Sequence, residues 1–117
     1  MVKKVLLDTN FIISCLKNRI DFLEELQFGG FEIYVPEQVL RELENLKDYS
    51  AKIALNLLKE KRVEKVVLPV NYVDEGIARF CERHRDFVLA TLDKELLDRV
   101  ANPKMIIRNR KNLEIIY

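Results

Sequence analysis

Short, unbroken apolar runs alternate along this chain with segments whose apolar residues recur at helical spacing. Val5-Leu6-Leu7 has no polar member, the pattern of a strand covered on both faces. Asp8-Thr9-Asn10 follows, and the apolar stretch through Leu16 predicts a helix whose first turn carries that polar trio. Asp21 opens a short helix, Phe22-Leu23-Glu24-Glu25-Leu26, closed by Gly29-Gly30. Glu32-Ile33-Tyr34-Val35 predicts a second strand, and Pro36 stands where helices begin. Val39, Leu40, Leu43 and Leu46 form the inward stripe of the next helix. Ser50 caps another, with Ile53, Leu55, Leu57 and Leu58 facing inward and a basic end at Lys59, Lys61 and Arg62.

In the second half, Val66-Val67-Leu68 predicts a third strand stopped by Pro69, and Val73 to about His84 a helix with Ile77, Phe80 and Cys81 on one side. Phe87-Val88-Leu89-Ala90 is a fourth strand running into Thr91-Leu92-Asp93. Glu95 to Val100 is helical and ends before Asn102-Pro103. Met105-Ile106-Ile107 is a fifth strand, and Leu113 to Tyr117 a sixth strand or a packed tail. Buried strands alternating with helices predict an α/β fold: a mainly parallel sheet of about five strands, flanked by helices on both faces. No repeat, linker or low-complexity segment divides the chain, so residues 1–117 read as one domain.

Composition narrows the class. With 49% hydrophobic and 33% charged residues, the chain is globular rather than disordered. Net charge is +1, from 20 basic and 19 acidic residues, so bulk electrostatics argue neither for nor against a nucleic-acid partner. Cys15 and Cys81 both fall in apolar-periodic segments and read as buried thiols of a reducing compartment. No Cys/His spacing suits a structural zinc ion. The apolar run after Met1 is too short for a signal peptide, and no stretch approaches the roughly 18 apolar residues of a membrane span. The expected location is cytoplasmic, with no membrane partner.

The chemistry lies in the acids. Ligand sites of open parallel sheets lie beyond the carboxyl ends of the strands. Asp8 ends the first strand and Asp93 follows the fourth. Glu42 sits in the helix after the second strand, near the edge of its inward face, and Asp74 opens the helix before the fourth. Singly, such acids are caps or solvated surface groups. Together, with no matching cluster of Lys or Arg, they would repel one another unless a cation stands among them. Mg²⁺ and Mn²⁺ prefer carboxylate and water ligands. Paired ions about 3.5–4 Å apart can activate water for phosphodiester hydrolysis. Thr9, Asn10 and Thr91 suit either helix capping or support of the carboxylates.

Four segments in this order resemble the PIN-domain family: Leu6-Leu7-Asp8-Thr9-Asn10, Val35 to Leu43, Val73 to Ala78, and Val88 to Leu96. The resemblance spans the chain. It implies a PIN-like sheet akin to flap-endonuclease cores, and Mg²⁺- or Mn²⁺-dependent cleavage of single-stranded RNA. By motif match it implies Asp8, Glu42, Asp74 and Asp93 as the catalytic, metal-binding acids. Asp74-Glu75 offers two adjacent acids; Asp74 fits the pattern through Ile77 three places on, leaving Glu75 as an outer ligand or surface acid. Two branches fit. One is the ribosomal-RNA-processing branch, whose members often end, like Met105 to Ile115 here, in a strand, a basic turn and an apolar stretch. The other is the toxin of type II toxin–antitoxin pairs. The implied partners are ribosomal, transfer or messenger RNA, a ribosome-assembly protein or an antitoxin, and a second copy of the chain as a homodimer.

Rival classes fit less well. A phospho-receiver domain wants paired acids after its first strand and a late Lys, and a haloacid-dehalogenase-type phosphatase wants Asp-x-Asp where Asp8-Thr9-Asn10 stands. A non-catalytic RNA-binding scaffold is the non-enzyme alternative. It would tolerate loss of an acid, and none is missing. Among basic residues, Arg108, Arg110 and Lys111 form a turn that could hold RNA phosphates, while Arg79, Arg83 and Arg85 surround His84. His84 reads as a helix C-terminal cap without a catalytic role.

Overall fold

The computed structural model describes residues 2–61 and 63–117. Its elements in chain order are β1 (Lys3–Leu7), α1 (Thr9–Lys17), α2 (Phe22–Phe28), β2 (Phe31–Pro36), α3 (Glu37–Asn45), α4 (Tyr49–Glu60), β3 (Glu64–Val66), α5 (Val73–Arg83), β4 (Phe87–Ala90), α6 (Lys94–Arg99), β5 (Lys104–Arg108) and β6 (Asn112–Ile116). They form one α/β unit around a six-stranded sheet of order β3-β2-β1-β4-β5-β6. All neighbours pair in parallel except β5 and β6, whose register runs from Lys104↔Ile116 to Arg108↔Asn112.

Both faces of the sheet are covered, which explains the unbroken apolar runs. Successive side chains of a strand point to opposite faces. Val5 and Leu7 accordingly join a core built with α1, α2, α3 and α4, and Leu6 joins a second core with Ile77, Phe80 and Cys81 of α5 and Leu96 of α6. Strand β4 divides the same way, Ala90 into the first core and Phe87 and Leu89 into the second. Cys15 and Cys81 are buried free thiols, and burial pushes both up to about 12.

Several expectations shift. The sheet has six strands rather than about five, because residues 112–116 pair with β5. The third strand is Glu64–Val66, not Val66 to Leu68: its partner β2 ends at Pro36, level with Val66. Val67 is then exposed, and Leu68 turns back under α5, its N–H donating to Gln38 Oε1 at 3.4 Å. Asp48, not Ser50, caps α4, accepting from the Ser50 N–H at 2.9 Å. Ala51, Ala54 and Leu58 are its buried residues, so Ile53 lies outside the inward stripe. Leu46 stands past the end of α3 and is exposed. Arg62, expected in the basic end of α4, lies outside the described residues.

One glycine fixes how closely α5 approaches. A Cβ on Gly76 would stand 2.8 Å from Leu68 Cβ and 2.9 Å from the Val70 carbonyl oxygen. Overpacking of this kind costs about 1–3 kcal/mol, against about 1 kcal/mol gained when Ala replaces Gly in a helix. Gly76→Ala is therefore expected to lower the urea midpoint; a raised midpoint would mean that the loop from Leu68 to Val70 yields freely.

Candidate active site

The strand order reverses between β1 and β4: β2 and β3 extend the sheet on one side, β4, β5 and β6 on the other. The crevice beyond the carboxyl ends at such a switch point is where open α/β sheets bind ligands. Leu7 pairs with Ala90 there, so Asp8 and Thr91 are the next residues out on adjacent strands. The Asp8 N–H donates to the Ala90 carbonyl at 3.0 Å, extending the ladder by one step.

Asp8 caps α1. Its Oδ1 accepts from the Thr9 N–H at 2.8 Å, and its Oδ2 accepts from the Thr91 hydroxyl at 2.7 Å. The same Thr91 oxygen accepts from the Asp93 N–H at 3.1 Å. Asp93 in turn caps α6, its Oδ1 accepting from the N–H groups of Glu95 at 2.9 Å and Leu96 at 3.3 Å. Capping and site-building are thus one arrangement: each cap bond fixes a carboxylate at the rim. Asn10 Oδ1 accepts from the Leu92 N–H at 3.0 Å and ties the two loops together. Thr9 donates its hydroxyl to Glu42 Oε1, drawing α3 to the start of α1.

Electrostatics link all four acids. Asp8 is only 4% exposed, and burial raises its carboxyl to about 6, aided by the charges of Asp74 and Glu42 and opposed by the bonds from Thr91 and Thr9. Asp74 is raised by partial burial and by the charge of Asp93. Among the described residues, none of Asp8, Glu42, Asp74 and Asp93 takes part in an ion pair. Unpaired oxygen donors of this kind suit a hard divalent cation. Among the described residues no three Asp, Glu, His or Cys side chains converge tightly enough to hold one. The acids stand as neighbours along an open rim, and a cavity of about 780 Å³ lies at the amino ends of the strands, away from them.

The second acid of the Asp74-Glu75 pair is engaged elsewhere. Glu75 accepts from Arg99 at 2.8 and 2.9 Å and from Arg79 Nε at 2.9 Å, and Arg99 and Arg79 hold its carboxyl down to about 2. The Arg79 partnership follows helical i, i+4 spacing; nothing in the sequence pointed to Arg99. His84 caps α5 through its N–H and stacks on Phe80, ring centroids 4.3 Å apart. In the β5–β6 hairpin, Arg108 is paired with Glu114 at 2.9 Å, whereas Arg110 and Lys111 are exposed at the turn. Met105 lies level with Ala90, so the turn projects about 10 Å past the carboxyl edge, at ~3.3 Å per residue.

A six-stranded switch-point sheet rimmed by these acids is the arrangement of a known class, and the chain belongs to it: the family model of the PIN-like domain matches residues 5–111. The chain is 33% identical to Ribonuclease VapC4 of Methanocaldococcus jannaschii, over 96% of this chain and 95% of that protein. It is 33% identical to the rRNA-processing protein fcf1 of Schizosaccharomyces pombe over 92% of this chain, but spans only 60% of that relative. Its structure is similar to that of the PIN domain endonuclease Utp24, with a TM-score of 0.84 at 29% identity, covering 96% of this chain and 90% of that one. No helix among the described residues is long and apolar enough to cross a membrane.

The raised Asp8 carboxyl makes stability depend on pH. A carboxyl raised from 3.8 to about 6 by folding adds stability fully present below about pH 4, and lost as pH rises through about 6. The gap corresponds to about 3 kcal/mol. Asp8→Asn keeps the acceptor for the Thr9 N–H on Oδ1, while its Nδ2 donates to the Thr91 oxygen, reversing that bond. It should raise the cation-free melting temperature at pH 7.5 by roughly 5–10 °C and flatten the decline between pH 4 and 7. An unchanged pH profile would mean that Asp8 is better solvated than its burial indicates.

Thr91→Val tests the hydroxyl that joins the two loops. It removes a donor from Asp8 and an acceptor from the Asp93 N–H, and should destabilise by about 1–3 kcal/mol. Because the Thr91 bond lowers the Asp8 carboxyl, its loss should move the Asp8 titration, followed by carboxyl carbon NMR, further upward.

Proposed function

We propose that this chain is a divalent-cation-dependent endoribonuclease that cuts single-stranded RNA at the β1/β4 crevice. The observation that carries the reading is the set of four carboxylates on one rim, without ion-pair partners among the described residues and coupled by charge from Glu42 through Asp8 and Asp74 to Asp93. Similarity to a ribonuclease and to an endonuclease supports it. Asp8, Glu42, Asp74 and Asp93 would hold Mg²⁺ or Mn²⁺, the ion being completed by water and RNA phosphate rather than by a protein cage, as Mg²⁺ commonly is. When bound, such an ion lowers the pKa of water and neutralises charge at the phosphodiester.

The chain's own groups do the rest. Thr91 and Thr9 hold the carboxylates in place, and Asn10 keeps the two catalytic loops in register. Arg110 and Lys111 hold flanking phosphates without reading sequence. Arg108 serves mainly to brace the hairpin through Glu114. The role is in ribosomal RNA processing, with a ribosome-assembly protein as partner, in line with the fcf1 relative. The alternative is a toxin whose ribonuclease is silenced by an antitoxin, and similarity to VapC4 over nearly its whole length favours it.

Purified protein should cleave single-stranded RNA with Mn²⁺ or Mg²⁺ and not with EDTA, leaving 5′-phosphate and 3′-hydroxyl ends. Asp8→Asn and Asp93→Asn should each reduce the rate by at least about a hundredfold, the scale of losing a group that acts in the transition state. Cyclic 2′,3′-phosphate ends, or full activity in EDTA, would overturn the reading. The Arg110→Ala, Lys111→Ala variant should lower the salt slope of RNA binding by about 1.4, from ~0.7 for each phosphate contact on a single strand, while cutting at the same positions. Sequencing of products from ribosomal and transfer RNA distinguishes the two roles.

A further inference from the structure

We infer that Glu75 is a positioning residue for the candidate cation site: paired with Arg99, it clamps α5 to α6 so that Asp74 and Asp93 keep a working separation. The inference rests on the nuclease reading above.

Asp74 lies in the first turn of α5 and Asp93 caps α6. Both are acids without ion-pair partners among the described residues, and their like charges push the starts of the two helices apart. An opposing restraint is built into the very next residue. Glu75 presents both carboxylate oxygens to the guanidinium of Arg99, Oε1 to Nη1 at 2.8 Å and Oε2 to Nη2 at 2.9 Å. This fork-to-fork geometry fixes orientation as well as distance. Arg79, one turn along α5, donates its Nε to Oε2 at 2.9 Å and holds Glu75 from its own helix. The three side chains join the first turn of α5 to the last turn of α6. They also consume their charges among themselves, so neither arginine neutralises Asp74 or Asp93.

The pair is partly exposed, with 34% of the Glu75 side chain and 52% of Arg99 accessible. Partly exposed ion pairs add little to global stability. What the bidentate geometry supplies is a fixed spacing between two helices whose N-terminal acids must hold one cation or a pair of them. Sequence alone left Glu75 as an outer ligand or a surface acid; its oxygens are taken by arginines, which leaves it the clamp.

The test is binding of Mn²⁺ to the purified chain, read from the loss of the free-ion electron paramagnetic resonance signal. Wild type, Glu75→Gln, Arg99→Met, Arg99→Lys and the Glu75→Gln, Arg99→Met double variant are compared. Each single variant is expected to bind Mn²⁺ about tenfold more weakly, equivalent to about 1.4 kcal/mol. The double variant should be no worse than either single one, because all remove the same pair. Arg99→Lys keeps the charge but loses the fork, and should fall close to Arg99→Met. Melting temperatures without cation should stay within a few degrees of wild type. In cleavage assays, kcat at limiting Mn²⁺ should fall and recover as Mn²⁺ is raised, with KM for RNA unchanged. Mn²⁺ affinity within twofold of wild type in Glu75→Gln and Arg99→Lys overturns the clamp and leaves the nuclease reading standing. Additive losses in the double variant, or lowered melting temperature with unchanged Mn²⁺ affinity, overturn it as well. If wild type itself binds no Mn²⁺, the clamp and the cation-dependent nuclease fall together.

Discussion

The structure turns on one unfavourable placement: an acid, Asp8, directly after three strand residues, Val5, Leu6 and Leu7, that have no exposure on either face. A carboxylate there must leave water at the mouth of a sheet whose next residues inward are Leu7, Leu6 and Val5. Its compensation within the chain is modest, an amide and a hydroxyl, and its acidic neighbours make matters worse. Burial therefore wins and lifts the carboxyl to about 6, so that near neutrality the protein carries a charge it would be more stable without. Strain of this kind is expected where a site is held ready for a ligand that neutralises it.

The topology puts the strain where it is usable. Because β2 and β4 flank β1 and the chain leaves them in opposite directions, the loops after β1 and β4 diverge and open a crevice at their carboxyl ends. Two separate cores then support the rim from opposite faces. The α1–α4 core carries Asp8 and Glu42, and the α5–α6 core carries Asp74, with Asp93 at its margin. The site is thus a seam between two packed layers.

Much of this was legible in the sequence. The unbroken run Val5-Leu6-Leu7 and the strand Phe87 to Ala90 were readable because continuous apolar character has one simple explanation, burial on both faces. Of the four acids proposed for the site, Asp8 and Asp93 follow such runs and Asp74 stands at a helix start, whereas Glu42 lies within α3 and was marked by the family resemblance. Where reading failed, the deciding term was tertiary. The third strand lies two residues early because Pro36 ends its partner, and Leu46 is exposed because α3 stops before it. The pairings that build the site were invisible for the same reason. Thr91 reaches Asp8 across 83 residues, Thr9 reaches Glu42 across 33, and Arg99 reaches Glu75 across 24. Composition and periodicity carry no information at those separations. Only the i, i+4 bond between Glu75 and Arg79 could be foreseen.

The open spacing of the acids is consistent with the chemistry proposed for them. Three or four converging carboxylates would take most of the six positions of an octahedral cation and leave little coordination for substrate. Mg²⁺ keeps several waters and commonly takes only one or two carboxylates beside substrate phosphates. A rim in which acids stand as neighbours, with Asp8, Glu42 and Asp93 held by caps or hydroxyls, leaves room for a phosphodiester to complete the shell. It also leaves the ends of the strand free, so a polymer can lie across the seam with the hairpin at Arg110 and Lys111 on one side. The same openness means that the protein itself must maintain the spacing against mutual repulsion. That is a demand on the elements behind the acids rather than on the acids themselves. Ion pairs and tight helix contacts one and two residues away from the rim, at Glu75 and Gly76, are where such a demand would be met.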